Sequence, residues 1–116
     1  MKTLFIVNDA PYGSERTYNA LRLAGALAKL GRDEIRLFLM GDAAPCAKSG
    51  HSVAQGYYNI NRMLQVLTQG SVPVGVCGTC MDARGVASGE LVDGARRSTL
   101  GELAEWTSWA EKVITF

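Results

Sequence analysis

The chemistry-bearing residues of the chain converge on one short segment, Cys77-Gly78-Thr79-Cys80. A thiol reacts as its thiolate, so a working cysteine needs a lowered pKa and an open approach. Cys77 closes the run Val72-Pro73-Val74-Gly75-Val76-Cys77, which has the composition of a buried strand. The residues after it can turn into a helix, and the free N–H groups and dipole of a helix start favour an anion. Arg84 adds positive charge if the chain folds back, and Gly78 and Gly85 allow a close approach of backbone to a ligand. The plainer alternative is a small thiol buried at a strand end.

Cys80 has two roles open to it. It is either the resolving thiol of a redox pair or an accessory, structural thiol on the first helical turn. The chain lacks the element order of a thioredoxin, and no proline follows the second cysteine. Cys46 and His51 complete a third possibility, a Cys3His zinc site with Cys77 and Cys80. The spacing Cys46-x4-His51 is a weak ligand pattern and a domain of this size does not need metal to fold. The expectation is therefore no metal and no cofactor, with His51 an ordinary loop histidine. Gly13-Ser14, at the start of a helix, could hold an anion. No dinucleotide or P-loop glycine pattern occurs. Asp82 and Glu90 could act as bases, although acids near turns are usually just solvated.

The elements that must position these residues follow from hydrophobic pattern. Leu4-Phe5-Ile6-Val7 and Ile35 to Met40 are short apolar runs, as buried parallel strands are. Ser14 is placed to cap a helix to about Leu30, with Ala20, Leu23, Ala24, Leu27 and Leu30 as its buried face and Gly31 as its stop. A helical stretch can begin near Ala44, residues 49–56 read as loop, and Tyr58 to Thr68 is helical up to Gly70. Pro73 is tolerable only near the start of the third strand. Met81 to Arg84 can make one helical turn. Glu90-Leu91-Val92 is a short helix or an extended piece. Ser98 or Thr99 caps a last helix with Leu100, Leu103, Ala104, Trp106 and Ala110 inside, and Lys112 to Phe116 is a terminal strand. Tyr57-Tyr58 and Trp106/Trp109 suit packing or subunit contacts.

This alternation predicts a single α/β domain over residues 1–116, a parallel sheet of about five strands with helices on both faces. Ligands of such sheets sit beyond the carboxyl ends of the strands. Three loops meet that condition: Asn8 to Gly13, Gly41 to Cys46 and Cys77 to Cys80. That reading puts Cys46 and Cys77 on one edge of the sheet.

The 116 residues carry a formal net charge of +1, are 47% hydrophobic and 20% charged, and include three cysteines. These values suit an ordered globular protein. The basic residues are scattered apart from Arg96-Arg97, so direct nucleic-acid binding is not expected. The N-terminal apolar run is too short for a secretory leader or a membrane span. The odd cysteine count does not suit a disulfide scaffold, so the expectation is a cytoplasmic protein with free thiols.

The segment Cys77-Gly78-Thr79-Cys80-Met81-Asp82-Ala83-Arg84-Gly85 resembles the cysteine segment of the DsrE/DsrF-like family. Pro11-Tyr12-Gly13-Ser14 with the Ala/Leu-rich helix after it resembles that family's first loop and helix. Gly56-Tyr57-Tyr58-Asn59 and the ending Ala110 to Phe116 fit as well. The resemblance implies a flavodoxin-like or Rossmann-like α/β fold, assembled as homotrimers or hexamers. It implies persulfide chemistry of the kind carried by the DsrEFH proteins and the TusBCD relay. In the relay's active subunit the acceptor cysteine precedes an Arg-Gly pair at the spacing Cys77 holds to Arg84-Gly85. Cys77 thus takes the acceptor role by resemblance, and Cys80 has no counterpart there.

The leading expectation is a sulfur carrier or sulfurtransferase in which Cys77 takes and passes on persulfide sulfur, with donor and acceptor proteins as partners. Cys80 is the second catalytic residue, releasing that sulfur by forming a Cys77–Cys80 disulfide or protecting the persulfide, and Cys46, Gly78, Thr79, Arg84, Gly85, Tyr12, Gly13 and Ser14 support the site. The alternatives are a non-catalytic binding or assembly module and a dithiol redox protein.

Overall fold

The computed structural model describes residues 1–116. Strand β1 (Lys2–Val7) leads into helix α1 (Arg16–Leu30) and strand β2 (Glu34–Leu39). A short 3-10 helix (Gly41–Ala47), a long loop and helix α2 (Ile60–Gln69) lead to β3 (Val74–Cys77). Helix α3 (Gly78–Ala83) follows at once, then a 3-10 turn (Ser88–Glu90), β4 (Ala95–Ser98), α4 (Leu100–Trp109) and β5 (Lys112–Thr115). All neighbours pair in parallel, in the order β4-β3-β2-β1-β5. This is the expected flavodoxin-like α/β sheet. No helix is long and apolar enough to cross a membrane.

Strand side chains alternate between faces, and the core divides accordingly. Phe5, Val7, Leu37, Leu39, Val74 and Val76 pack into the large cluster with α1 and α2. Leu4, Phe38 and Cys77 point the other way, to Leu103 and Trp106 of α4. Each large side chain fully buried this way stabilises the fold by about 1.5–3 kcal/mol. Successive right-handed crossovers from β1 to β4 keep their connections on one face, and the jump from β4 back to β5 takes α4 to the other. One helix therefore covers a face of five strands.

Several expected elements are placed differently. The buried face of α1 is Thr17, Ala20, Leu21 and Ala24. Leu27 is half-buried, while Leu23 is 39% and Leu30 57% exposed. Small residues sit under the helix where it meets the sheet, so the stripe is rotated from the leucine-based reading. Ser14 lies one position outside the cap: the helix starts at Arg16 behind Glu15, which supplies no side-chain cap. Ser14 Oγ accepts weakly from Arg16 N–H at 3.4 Å and donates to Asp9. On α4, Leu103 and Trp106 are buried and Ala110 partly so, but Ala104 is exposed and Leu100 is 70% exposed. Thr99 caps α4 as expected, accepting from Glu102 N–H at 3.1 Å.

The fourth strand is Ala95–Ser98, a segment not expected to be a strand, and the Glu90–Val92 stretch begins in a short 3-10 helix. Residues 88–90 form the 3-10 turn, and Leu91 makes only an isolated bridge to Lys48. Ala-Arg-Arg-Ser lacks a strand's apolar signal because it is an edge strand whose two arginines are ion-paired, Arg96 to Glu102 and Arg97 to Asp82. A tight turn aims it: Ala95 N–H reaches Val92 O at 3.1 Å, with Gly94 at φ +89°. A Cβ on Gly94 would lie 2.5 Å from Thr68 Cβ. Both left-handed backbone and steric overlap oppose a side chain there. Gly94→Ala is expected to cost about 2 kcal/mol or more in urea unfolding. A loss below about 0.5 kcal/mol would show that this turn does not hold β4 in place.

Candidate functional site

Strand β3 ends at Cys77, and α3 begins at the next residue. Cys77 is the N-cap of α3, with its sulfur in the place usually taken by a Ser, Thr or Asp oxygen. Cys80 N–H donates to Cys77 Sγ at 3.4 Å. Thr79 Oγ1 lies 3.4 Å from the same sulfur. Burial pushes the Cys77 thiol up, but hydrogen bonds from Cys80 and Thr79 outweigh it and bring the thiol below its ordinary value. Cys80 is pushed the other way, first by burial and then by its contact with Cys77. The two thiols are thereby made unequal, with Cys77 the readier nucleophile.

Cys77 is only 8% exposed, yet it lines an open cavity of about 310 Å³. Phe38, Met40 and Leu100 supply most of its apolar wall, Thr79 and Cys80 one side, and Arg97, Ser98 and Thr99 the other. This space exists because α4 alone covers that face. Arg97 Nη1 and Nη2 grip the two oxygens of Asp82 at 2.7 and 2.9 Å. Its guanidinium lies over Gly78, 2.8 Å from where a Cβ would stand. Gly78 thus makes room for an arginine of this chain. Asp82, weighed above as a base, is held well ionised by that arginine. Glu90 accepts from Ala87 N–H at 2.8 Å and pairs with Lys48 at 3.5 Å.

The remaining expected site residues divide between this cavity and other places. Arg84 sits beside Cys80 rather than Cys77: Nη1 donates to Cys80 O at 3.1 Å, and Nη2 pairs with Asp42 at 2.7 Å. Gly85, at φ +68°, turns the chain out of α3 and lines no part of the cavity. Cys46 follows β2 as expected, but it packs in the α1/α2 core and is fully buried. Burial raises its thiol to about 12. It belongs to the core on the opposite face of the sheet from Cys77, with its sulfur 3.9 Å from Asp9 O. No three His, Cys, Asp or Glu side chains converge on a common point, so the Cys3His set is not assembled.

Tyr12, Gly13 and Ser14 belong to a separate cluster. Tyr12 O–H lies 2.9 Å from His51 Nδ1, and Ile60 N–H donates to the Tyr12 oxygen at 3.2 Å. His51 Nε2 is 2.9 Å from Pro45 O, which can only accept. The ring is therefore the Nε2–H tautomer, accepting from Tyr12 at Nδ1. Burial first, and the charge of Lys48 after it, hold His51 below its usual pKa. Tyr18, Tyr57 and Tyr58 stack beside this relay, and residues 51–59 with Arg62 and Met63 line an open cavity of about 540 Å³. It contains no cysteine.

Arg97, Phe38, Met40 and Leu100 are the site residues that sequence reasoning missed. The one available signal was Arg96-Arg97, the sole adjacent basic pair, which stood out only as composition.

Fold and site together define an α/β protein with an unequal thiol pair at the carboxyl edge of a parallel sheet. A match to the DsrE/DsrF-like family spans residues 1–116, and the chain belongs to that family. It is 47% identical to Protein YchN of Escherichia coli (strain K12) over 116 residues, covering 99% of this chain and 98% of the relative. The crystal structure of the E. coli ychN protein superposes with a TM-score of 0.92 at 47% identity, with both chains fully covered. Sulfurtransferase TusD of Salmonella arizonae is 29% identical over 128 aligned positions, covering both chains fully.

The thiols should react in a fixed order with a neutral alkylating agent. Cys77 is modified first, its rate levelling off at a pH below that of an ordinary thiol; Cys80 follows, and Cys46 reacts only on unfolding. Thr79→Val removes a donor to the thiolate and should slow Cys77 alkylation at pH 7 by about 2–5-fold. Peptide mass spectrometry across pH reads all three sites. Equal rates at Cys77 and Cys80 would overturn the asymmetry.

Proposed function

We propose that the protein is a sulfur carrier in which Cys77 accepts and passes on persulfide sulfur. The observation that carries this reading is the Cys77 sulfur itself, held by an N–H and a hydroxyl at the floor of an open, largely apolar cavity. The full-length likeness to a protein named sulfurtransferase supports it.

The Cys77 thiolate attacks the outer sulfur of a donor R–S–SH. The donor S–S bond breaks, R–S⁻ leaves, and Cys77–S–SH forms. An acceptor thiolate then attacks the outer sulfur, and Cys77 leaves as thiolate. The donors that stabilise the Cys77 anion serve both halves, because Cys77 is nucleophile in one and leaving group in the other. Cys80 offers a second exit. Its thiolate can attack the inner sulfur, expelling hydrosulfide and closing a Cys77–Cys80 disulfide. That path needs an external thiol to reset it.

Donor and acceptor proteins are the proposed partners, in the cytoplasm, where thiols stay reduced. A homotrimer or hexamer is also proposed, and the apolar side chains left open on α1 and α2 support it. Leu23 and Leu30 are joined there by Val66, which is 65% exposed. Light scattering should give a mass of three or six chains, and a monomer at micromolar concentration would remove this part of the proposal.

Incubation with a persulfide donor should add one sulfur to the wild type, at Cys77. Cys77→Ser should take up none. Cys80→Ser should load normally and release sulfide at least about tenfold more slowly. Whole-protein and peptide mass spectrometry check both. Undiminished loading of Cys77→Ser would reject the carrier assignment.

A further inference from the structure

The hydrogen bonds that bring the Cys77 thiol below its ordinary value come from Cys80 and Thr79, so another task is open to the cation beside the site. Arg97 projects from the edge strand β4 to the rim of the thiol cavity and lies over Gly78. Asp82 occupies one hydrogen on each terminal nitrogen and fixes the plane of the guanidinium. The guanidinium lies over Gly78, next to the nucleophile, with Cζ and Nε 2.8 Å and Nη2 3.0 Å from where a Cβ would stand. A guanidinium has five N–H donors, so one carboxylate does not exhaust it.

We infer that Arg97 is an anion-recognition residue that selects small, negatively charged sulfur donors and turns their sulfane sulfur onto Cys77. The inference rests on the carrier reading for the chemistry of the transfer and goes beyond it on the donor, naming a small anionic persulfide where that reading proposes a donor protein. The cavity is two-ended. Its floor of Phe38 and Met40 suits a soft, poorly hydrated sulfur. Its one cation stands at the rim. A donor with a carboxylate a few atoms from its persulfide therefore has one favourable orientation: charge on Arg97, sulfur on Cys77. A volume of about 310 Å³ fits a small ligand. The transfer is the step already given: Cys77–S⁻ and R–S–SH become Cys77–S–SH and R–S⁻, with no external oxidant or reductant. Arg97 changes which R is preferred and leaves the bond chemistry alone.

Two matched pairs of probes test this. Iodoacetate and iodoacetamide differ in charge at nearly equal size. Their rates at Cys77 are compared in wild type, Arg97→Gln and Arg97→Lys, at low salt and at a pH where the thiol is fully ionised in each. The iodoacetate-to-iodoacetamide ratio should fall about 5–10-fold in Arg97→Gln and recover in part in Arg97→Lys. Salt at about 0.5 M, roughly three times physiological ionic strength, should bring the wild type toward Arg97→Gln. Each ratio is internal to one variant, so a general loosening of the fold, which speeds both reagents, does not imitate the effect. A ratio in Arg97→Gln within about twofold of wild type would overturn the inference.

The second pair is an alkyl hydropersulfide bearing a carboxylate and its carboxamide analogue. Arg97→Gln should lose the preference for the carboxylate donor while loading from the carboxamide donor is retained. Equal loss with both donors would overturn the inference. If neither donor loads the wild type, the carrier reading fails, and the alkylation ratio still decides whether Arg97 recognises anions.

Discussion

A single N–H to sulfur hydrogen bond ties the fold of this protein to its chemistry. Cys77 ends β3 and caps α3 in one residue, with Cys80 N–H on its sulfur at 3.4 Å. A helix start leaves N–H groups without partners inside the helix, and a cap side chain satisfies one of them. Oxygen does this well and a neutral thiol does it poorly. A thiolate does it far better, because hydrogen bonds to an ionised group are about twice as strong as neutral ones. The local structure therefore favours the charged form of Cys77. In the persulfide the charge moves to the outer sulfur, so this donor acts on the thiolate, which is the nucleophile in one half of the transfer and the leaving group in the other.

The second constraint is the unequal covering of the sheet. Strand order β4-β3-β2-β1-β5 sends three connections to one face and only α4 to the other. The first face closes over a core that includes Cys46, whose thiol is raised to about 12. The second closes over Leu4, Phe38 and Trp106 but stays open above the carboxyl end of β3. Adjacent positions on β3 meet opposite fates: Val76 is sealed in the main core and Cys77 lines a cavity. Shifting the register by one residue would exchange them. Chemistry at Cys77 thus depends on the pairing of β3 between β2 and β4, far from the sulfur in sequence.

The cysteine loop was legible in the sequence because its physics is local. Strand, cap, thiol pair and helical turn all fall within ten residues, and the apolar runs of β1, β2 and β3 announce a parallel sheet. The fourth strand was not legible. Ala95–Ser98 has no buried apolar pair, and its arginines read as surface charge until their partners Asp82 and Glu102 are seen. Cys46 failed for a different reason. Topology puts it after β2, at the correct end of the sheet, but only the 3-10 path of residues 41–47 shows that it turns into the α1/α2 core. Arg84 was the nearer arginine in sequence and the more plausible partner for Cys77. Its engagement with Asp42 and the Cys80 carbonyl leaves Arg97, from the strand that was missed, as the cation at the cavity rim.

That exchange of arginines bears on how such a site can be selective. A cation bonded directly to a thiolate deepens its ionisation but also lowers its nucleophilicity, since reactivity falls as the thiol pKa falls. Here the anion is supported by the Cys80 thiol, the Thr79 hydroxyl and the backbone N–H groups of the same two residues, all uncharged donors. The full positive charge is kept one step away, over Gly78 and clamped by Asp82. The clamp costs part of the field of Arg97, yet it keeps the guanidinium from collapsing onto the sulfur. A glycine at position 78 is what lets the cation come so close, because any side chain there would occupy the same space. Nucleophile strength and choice of ligand are thereby assigned mainly to different groups, Cys80 and Thr79 of α3 for the first and Arg97 of β4 for the second, with a residual attraction between the Arg97 and Cys77 charges.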